Sequence, residues 1–361
     1  MASNIEFNQE KQTFSFAEKA VKERAWHNLG QKFDHSLSVE EALKACNADY
    51  YVEARPIMPI VSDMDIFGGI NGLSGEDVEG LIIPTHKAVM RMDTKKVLGI
   101  VGADYQVVQN DIAFRFIDTL CSGNEDTPTI ESCGVLGNGE RVFITCKFPE
   151  DIIINAKIDD RIERYLVITT SHDGTGAVKC VICNTRVVCQ NTLRFALRHN
   201  SGSISFRHSK NVLNKLDLTN EENATFVYKT LGLEKEYNTY FKAELERLHS
   251  LKVTKAQVEE IVANVVLSDD VLKIYNKVGK NINHEDIPTR SQNLYNGMIT
   301  AIHQGVGQDV IESGNGLWLI NGITSFYQNN ANYKNEEVKF LSITEGNVAR
   351  KVQKAYDLVS A

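Results

Sequence analysis

The sequence lacks what would place it in a membrane or in an oxidising compartment. Its 361 residues contain no uninterrupted apolar run near the roughly 20 that a spanning helix needs. The opening stretch, MASNIEFNQEKQTFSFAEKAVKERAW, is polar and charged, with no signal-peptide core behind it. Prolines number only six and no low-complexity stretch occurs, which argues against long disordered regions. The seven cysteines (Cys46, Cys121, Cys133, Cys146, Cys180, Cys183, Cys189) are odd in number and scattered through apolar segments. That suits a reducing interior better than a disulfide framework. The expectation is a cytoplasmic protein with no membrane partner.

Charge is present but unevenly spread. The chain as a whole is −8. Between Arg161 and Lys215, nine basic residues (Arg161, Arg164, Lys179, Arg186, Arg194, Arg198, Arg207, Lys210, Lys215) stand against two acids, Glu163 and Asp173. That segment is therefore +7, which leaves −15 for the remainder. A basic block in an acidic chain points to a polyanionic partner.

Pattern divides the chain into three parts: an N-terminal arm (1–36), a strand-rich core (37–215) and a mainly helical region (216–361) packed on it. The arm reads as a short charged helix. Ser38 and Glu41 have capping-box spacing ahead of VEEALKACNA. DYYVEARPIMPI reads as an edge strand because of Pro56 and Pro59. HKAVMR and VLGIVG read as strands joined at Asp93-Thr94-Lys95-Lys96, and DIAFRFIDTLCS as a helix. Asn138-Gly139 marks a hairpin. RYLVITTS and AVKCVICNTRVVC form a second hairpin about His172–Gly176, leading into a short helix capped by Asn191 or Thr192. The fold class is α+β: an antiparallel, strand-rich central region with a β-hairpin–helix element, then a largely helical C-terminal part.

Several motifs in order carry a family resemblance. They are Trp26-His27-Asn28-Leu29-Gly30; Arg91-Met92-Asp93-Thr94 with Leu98-Gly99-Ile100-Val101-Gly102; and Tyr105-Gln106-Val107-Val108-Gln109-Asn110. After these come Gly134–Arg141, Ser171-His172-Asp173-Gly174, and Arg186-Val187-Val188-Cys189-Gln190-Asn191-Thr192-Leu193. Gly316-Leu317-Trp318 with Asn321-Gly322-Ile323-Thr324 closes the series, Gly322 standing where the pattern has alanine. The chain thereby resembles, from about residue 24 onward, the family called domain of unknown function 932. The resemblance implies a phage, plasmid or prophage setting and no particular mechanism.

Candidate chemistry is sparse. Arg194 and Arg198 lie four apart and so on one helix face, followed by Arg207, His208, Lys210 and Lys215. With Lys179 and Arg186 they form a candidate nucleic-acid surface, because such cations neutralise phosphates whatever the base sequence. A hairpin leading into a helix is also similar to single-strand annealing proteins of the RecT/Redβ type, which work as oligomers in recombination. His172 and Asp173 are the candidate catalytic pair, although Asp-Gly at a hairpin tip is also an ordinary turn. Cys180 and Cys183 sit three apart on a strand, hence on opposite faces, so neither a metal nor a redox site is expected. GVLGNG lacks the lysine and hydroxyl of a phosphate loop. The aromatic run Phe226, Tyr228, Tyr237, Tyr240 and Phe241 reads as core, and Trp26-His27 as an anchor for the arm. The leading expectation is a cofactor-free, non-enzymatic DNA-binding protein that anneals or protects single-stranded DNA as a homo-oligomer. The alternatives are a phage protein-interaction or assembly factor, and a nucleic-acid-processing enzyme using His172 and Asp173.

Overall fold

A computed structural model describes residues 5–20, 30–59, 81–121, 127–155, 160–186, 191–193, 203–231, 237–309, 311–334, 336–344 and 346–361. The chain is α+β, with strands up to Phe206 that pair antiparallel except for the parallel pair β3–β4, and a helical C-terminal part. It opens with four short strands, β1 (Phe7–Asn8), β2 (Thr13–Phe14), β3 (Phe16–Lys19) and β4 (Gln31–Phe33). Residues 5–20 thus form strands where a charged helix was expected. Local preference is overridden because Phe16 and Ala17 are both buried, and β3 pairs across Ser132–Gly134.

Ser38 caps α1 (Val39–Ala45) in the expected capping box, its hydroxyl accepting from the Glu41 amide while the Glu41 carboxylate accepts from the Ser38 amide. Next come β5 (Val52–Pro56), β6 (His86–Arg91) and β7 (Val97–Gly102), which form an antiparallel sheet with Pro56 on its edge strand. Helix α2 (Asn110–Cys121) precedes β8 (Thr129–Leu136) and β9 (Arg141–Lys147). Between these two strands, Gly137 and Gly139 adopt φ of 70° and 110° at the predicted Asn-Gly turn. The strands end with β10 (Ile152–Asn155), β11 (Asp160–Ser171), β12 (Val178–Arg186), β13 (Asn191–Leu193) and β14 (Ser203–Phe206). Asn191 and Thr192, expected to cap a helix, instead pair with Arg186 and Thr185 as β13. The rest of that expected helix, 194–200, lies outside the described residues.

The helical part runs α3 (Val212–Leu216), α4 (Glu221–Leu231), α5 (Tyr237–Ser250), α6 (Lys255–Val266), α7 (Asp269–Lys277), α8 (Thr289–Gln304) and α9 (Gly316–Ser325). A π-helical turn (Phe326–Asn330), α10 (Glu336–Thr344) and α11 (Asn347–Ser360) complete it. No described helix is long and apolar enough to cross a membrane.

Two compact units divide the chain. Unit 1 comprises Met1–Cys146, Val167–Cys180 and Ser205–Ala224; unit 2 comprises Lys147–Leu166, Val181–Ile204 and Thr225–Ala361. In unit 1, β9, β8, β3 and β4 follow one another in the larger sheet, and α1 lies against β8, β3 and α2. Its buried side chains include Phe16, Leu43, Ile117, Val135 and Val142. Unit 2 is built about α9, all ten of whose residues are buried, with α5, α8 and α11 packed on it. The polar residues of this helix are satisfied internally. Asn321 Nδ2 donates to Gln308 Oε1 at 2.8 Å, and Gln308 Nε2 donates to the Trp318 carbonyl at 3.0 Å.

Candidate functional site

His172 sits where β11 ends, and its side chain is fully enclosed at 0 % exposure. Asn110, at the start of α2, sets its protonation. The Asn110 amide donates from Nδ2 to the Ala48 carbonyl at 2.8 Å, so its Oδ1 faces the imidazole as an acceptor. His172 Nε2 lies 2.8 Å from that oxygen and therefore carries the proton. Nδ1 is left with its lone pair, buried and without a hydrogen-bond partner. Burial, with the nearby His208 and Arg91 overriding the opposing charge of Asp173, pushes the imidazole down to about 3. The ring is neutral at any pH near 7.

His208 repeats the arrangement. Its Nδ1 lies 3.2 Å from the Gln106 carbonyl, to which it donates, and its Nε2 is buried without a partner. Burial lowers its pKa, against the pull of the Gln106 carbonyl and Asp173. Tyr105 links His208 to the backbone beside His172: it stacks on His208 at 4.8 Å between centroids, and its hydroxyl donates to the Ser171 carbonyl at 3.1 Å. The Tyr50 ring meets His172 edge-on at 6.2 Å.

Asp173 is occupied by its own turn. It accepts from the Ser171 hydroxyl, and from the Thr175 amide and hydroxyl at 2.9 and 2.8 Å. Burial pushes its carboxyl up, but these hydrogen bonds and the Arg141 guanidinium hold it below the usual 3.8. Gly174, at φ 80°, completes the turn with Val101 against it. The structure thus brings His172 and Asp173 together in sequence but not in chemistry. One is a buried neutral ring bonded to Asn110, the other a carboxylate committed to a turn, and the lone pair of His172 is sealed from any dissolved substrate. Among the described residues no group of three or more His, Cys, Asp or Glu is placed to hold a metal ion. Cys180 and Cys183 are both buried in β12.

The basic segment is distributed differently from its linear reading. Arg207 and Lys215 are exposed. Lys210 is exposed too and pairs with Asp104 at 3.0 Å. Lys179 is half-buried on β12 and already engaged in an interaction. Arg186 ends β12, but its side chain lies outside the described residues, as do Arg194 and Arg198 entirely. Arg161 pairs with Asp151 at 3.4 Å, and Arg164 is buried over the Phe148 ring at 4.2 Å. His208, counted with the cationic cluster from sequence, is instead a buried neutral ring. Asn110, Tyr105 and Tyr50 escaped notice because their roles depend on partners far away in the chain. The Tyr-to-Asn spacing in YQVVQN was the one available signal.

A family model described as "Domain of unknown function (DUF932)" matches residues 97–354, well over half of the chain. No curated protein and no solved structure matches it.

Proposed function

The chain belongs to the DUF932 family, and from that starting point we propose that it is a non-enzymatic nucleic-acid-binding protein that anneals or protects single-stranded DNA. The observation that carries the reading is the +7 segment between Arg161 and Lys215 in a chain of net −8. Arg207 and Lys215 are exposed within it, where cations can exchange condensed counterions for phosphates. The burial of His172 speaks for a binding role over a hydrolytic one. The phage, plasmid or prophage setting belongs to the same proposal, as does function as a homo-oligomer in the cell interior.

Fluorescence anisotropy of a labelled single strand of about 30 nucleotides tests it, since that length spans one or more typical sites. A matching duplex is run beside it at low and moderate salt. The expected result is salt-sensitive binding that favours the single strand. Arg194→Ala with Arg198→Ala should lower the slope of log affinity against log salt by roughly 0.7 per lost phosphate contact. Absence of binding at low salt by folded protein overturns the reading.

One observation favours a second reading, a protein-interaction or assembly factor. Ile100 and Val97 on β7 are 64 % and 55 % exposed, more apolar surface than a three-stranded sheet needs to show water. Ile100→Asp should then shift the sedimentation equilibrium toward smaller species, and an unchanged distribution rules out self-assembly through this strand.

A further inference from the structure

His172 and His208 share one electronic state. In each ring one nitrogen donates to a fixed oxygen, of Asn110 or of Gln106. In each the second nitrogen is buried with no partner. A neutral imidazole can leave that position as an unused lone pair. A protonated imidazole cannot, because both nitrogens are then donors and the ring bears a charge. A buried charged donor without an acceptor costs far more than an idle acceptor.

The surroundings offer little relief. Arg91 and the companion histidine both add positive charge near His172. Asp173 favours protonation of either ring, but Ser171, Thr175 and Arg141 already hold its carboxylate. Tyr105 and Tyr50 face the rings, and burial pushes both phenols up, so neither supplies an anion.

The position of the pair gives this a mechanical meaning. The 171–176 turn lies directly on β7: a Cβ at Gly99 would come within 2.4 Å of the Asp173 carbonyl, and one at Gly174 within 2.7 Å of Val101. Tyr105 ties the same turn to His208. We infer that His172 and His208 form an acid-sensitive latch in unit 1, holding the 171–176 turn against β7 and residues 105–110 while both rings are neutral and releasing it when they take up protons.

The direction follows from linkage. Both folded-state values lie below the ordinary 6.5. The stabilising contribution is therefore complete above about pH 6.5 and is lost as pH falls from there toward the folded values. Each ring can make opening up to about tenfold easier per pH unit within that window.

Hydrogen exchange of the full chain, resolved by peptide and corrected for the intrinsic rate, tests the latch. From pH 7 to pH 5, protection at 97–110 and 167–176 should fall at least about tenfold more than protection in α6. His172→Gln with His208→Gln should flatten that difference. An equal change in both regions, or an undiminished difference in the variant, overturns the latch. If the variant does not fold, imidazole ¹⁵N shifts of the unaltered protein decide: the latch requires His172 as the Nε2–H form and His208 as the Nδ1–H form at pH 6. A protonated His172 there overturns it.

Discussion

The guanidinium of Arg91 meets the carboxylate of Glu6 at 2.5 Å, a contact between residues 85 positions apart. Both side chains are buried, Arg91 almost completely. Its remaining donors go to Asp93 at 2.8 and 2.9 Å and to the Asn138 carbonyl at 3.0 Å, and its face lies 3.9 Å over the Tyr50 ring. One cation thus fastens the first strands, the β6–β7 hairpin and the β8–β9 turn. Arg91→Ala leaves Glu6 buried and uncompensated, and should cost about 3–5 kcal/mol in urea unfolding. A loss below 1 kcal/mol would mean that the pair contributes little.

Glycine at 322 is a second point of tight contact. A Cβ there would lie 2.4 Å from Ile302 Cα and 2.7 Å from Gln308 Nε2. An alanine at this position does not fit against α8 unless the neighbour gives way. Gly322→Ala is expected to destabilise unit 2 by about 1–3 kcal/mol, as overpacking does, and thermal unfolding measures it. A variant as stable as the parent shows that α8 can shift outward at no cost.

The thiols of Cys46, Cys133, Cys146, Cys180 and Cys183 are buried, and burial pushes those of Cys46 and Cys180 well above their usual range. Native protein treated with iodoacetamide should leave these five unmodified until denaturant is added. Site-resolved mass spectrometry reads the result, and prompt alkylation of Cys180 contradicts it.

Acid stability should fall in two separate windows. For Asp93, burial raises the carboxyl, but the hydrogen bond and charge of Arg91 outweigh it and hold the group below 3.8. Its contribution is present above that value and lost only as pH drops further. Loss that begins as pH falls below about 6.5 belongs instead to the two imidazoles. Asp93→Asn should therefore lie below the parent by a constant offset in urea midpoint from pH 7 to 5 and converge with it below about 4. A change in the offset already at pH 6 contradicts this division.

Much of the architecture was legible because its signals are local. The Ser38–Glu41 box, the Asn138-Gly139 hairpin and the apolar period of α2 each need only a few neighbours, and each stands where it was expected. The misreadings have a common cause. Residues 5–20 look helical by composition, and Asn191 looks like a cap, until the partner strands β8 and β12 are supplied. Phe241 is core as its pattern suggested, whereas Phe226 and Tyr240 face water; Tyr228 and Tyr237 have side chains outside the described residues, and Trp26-His27 lies outside them. At the site, the sequence places His172 at a loop tip, yet its state depends on Asn110, 62 residues earlier. No linear pattern shows which imidazole nitrogen will find an acceptor.

The fully enclosed α9 has a consequence for how the protein is made. A helix buried on every side has no face that it settles against water, so it gains little by forming alone. Its covers α5 and α8 leave the ribosome first, but α11 is synthesised after it. During translation GLWLINGITS therefore waits, only partly covered, until residues 347–360 have emerged. A nascent chain stalled in that interval presents a sticky segment to chaperones and proteases, and stop codons introduced within 347–360 should yield insoluble product rather than a shortened but folded one.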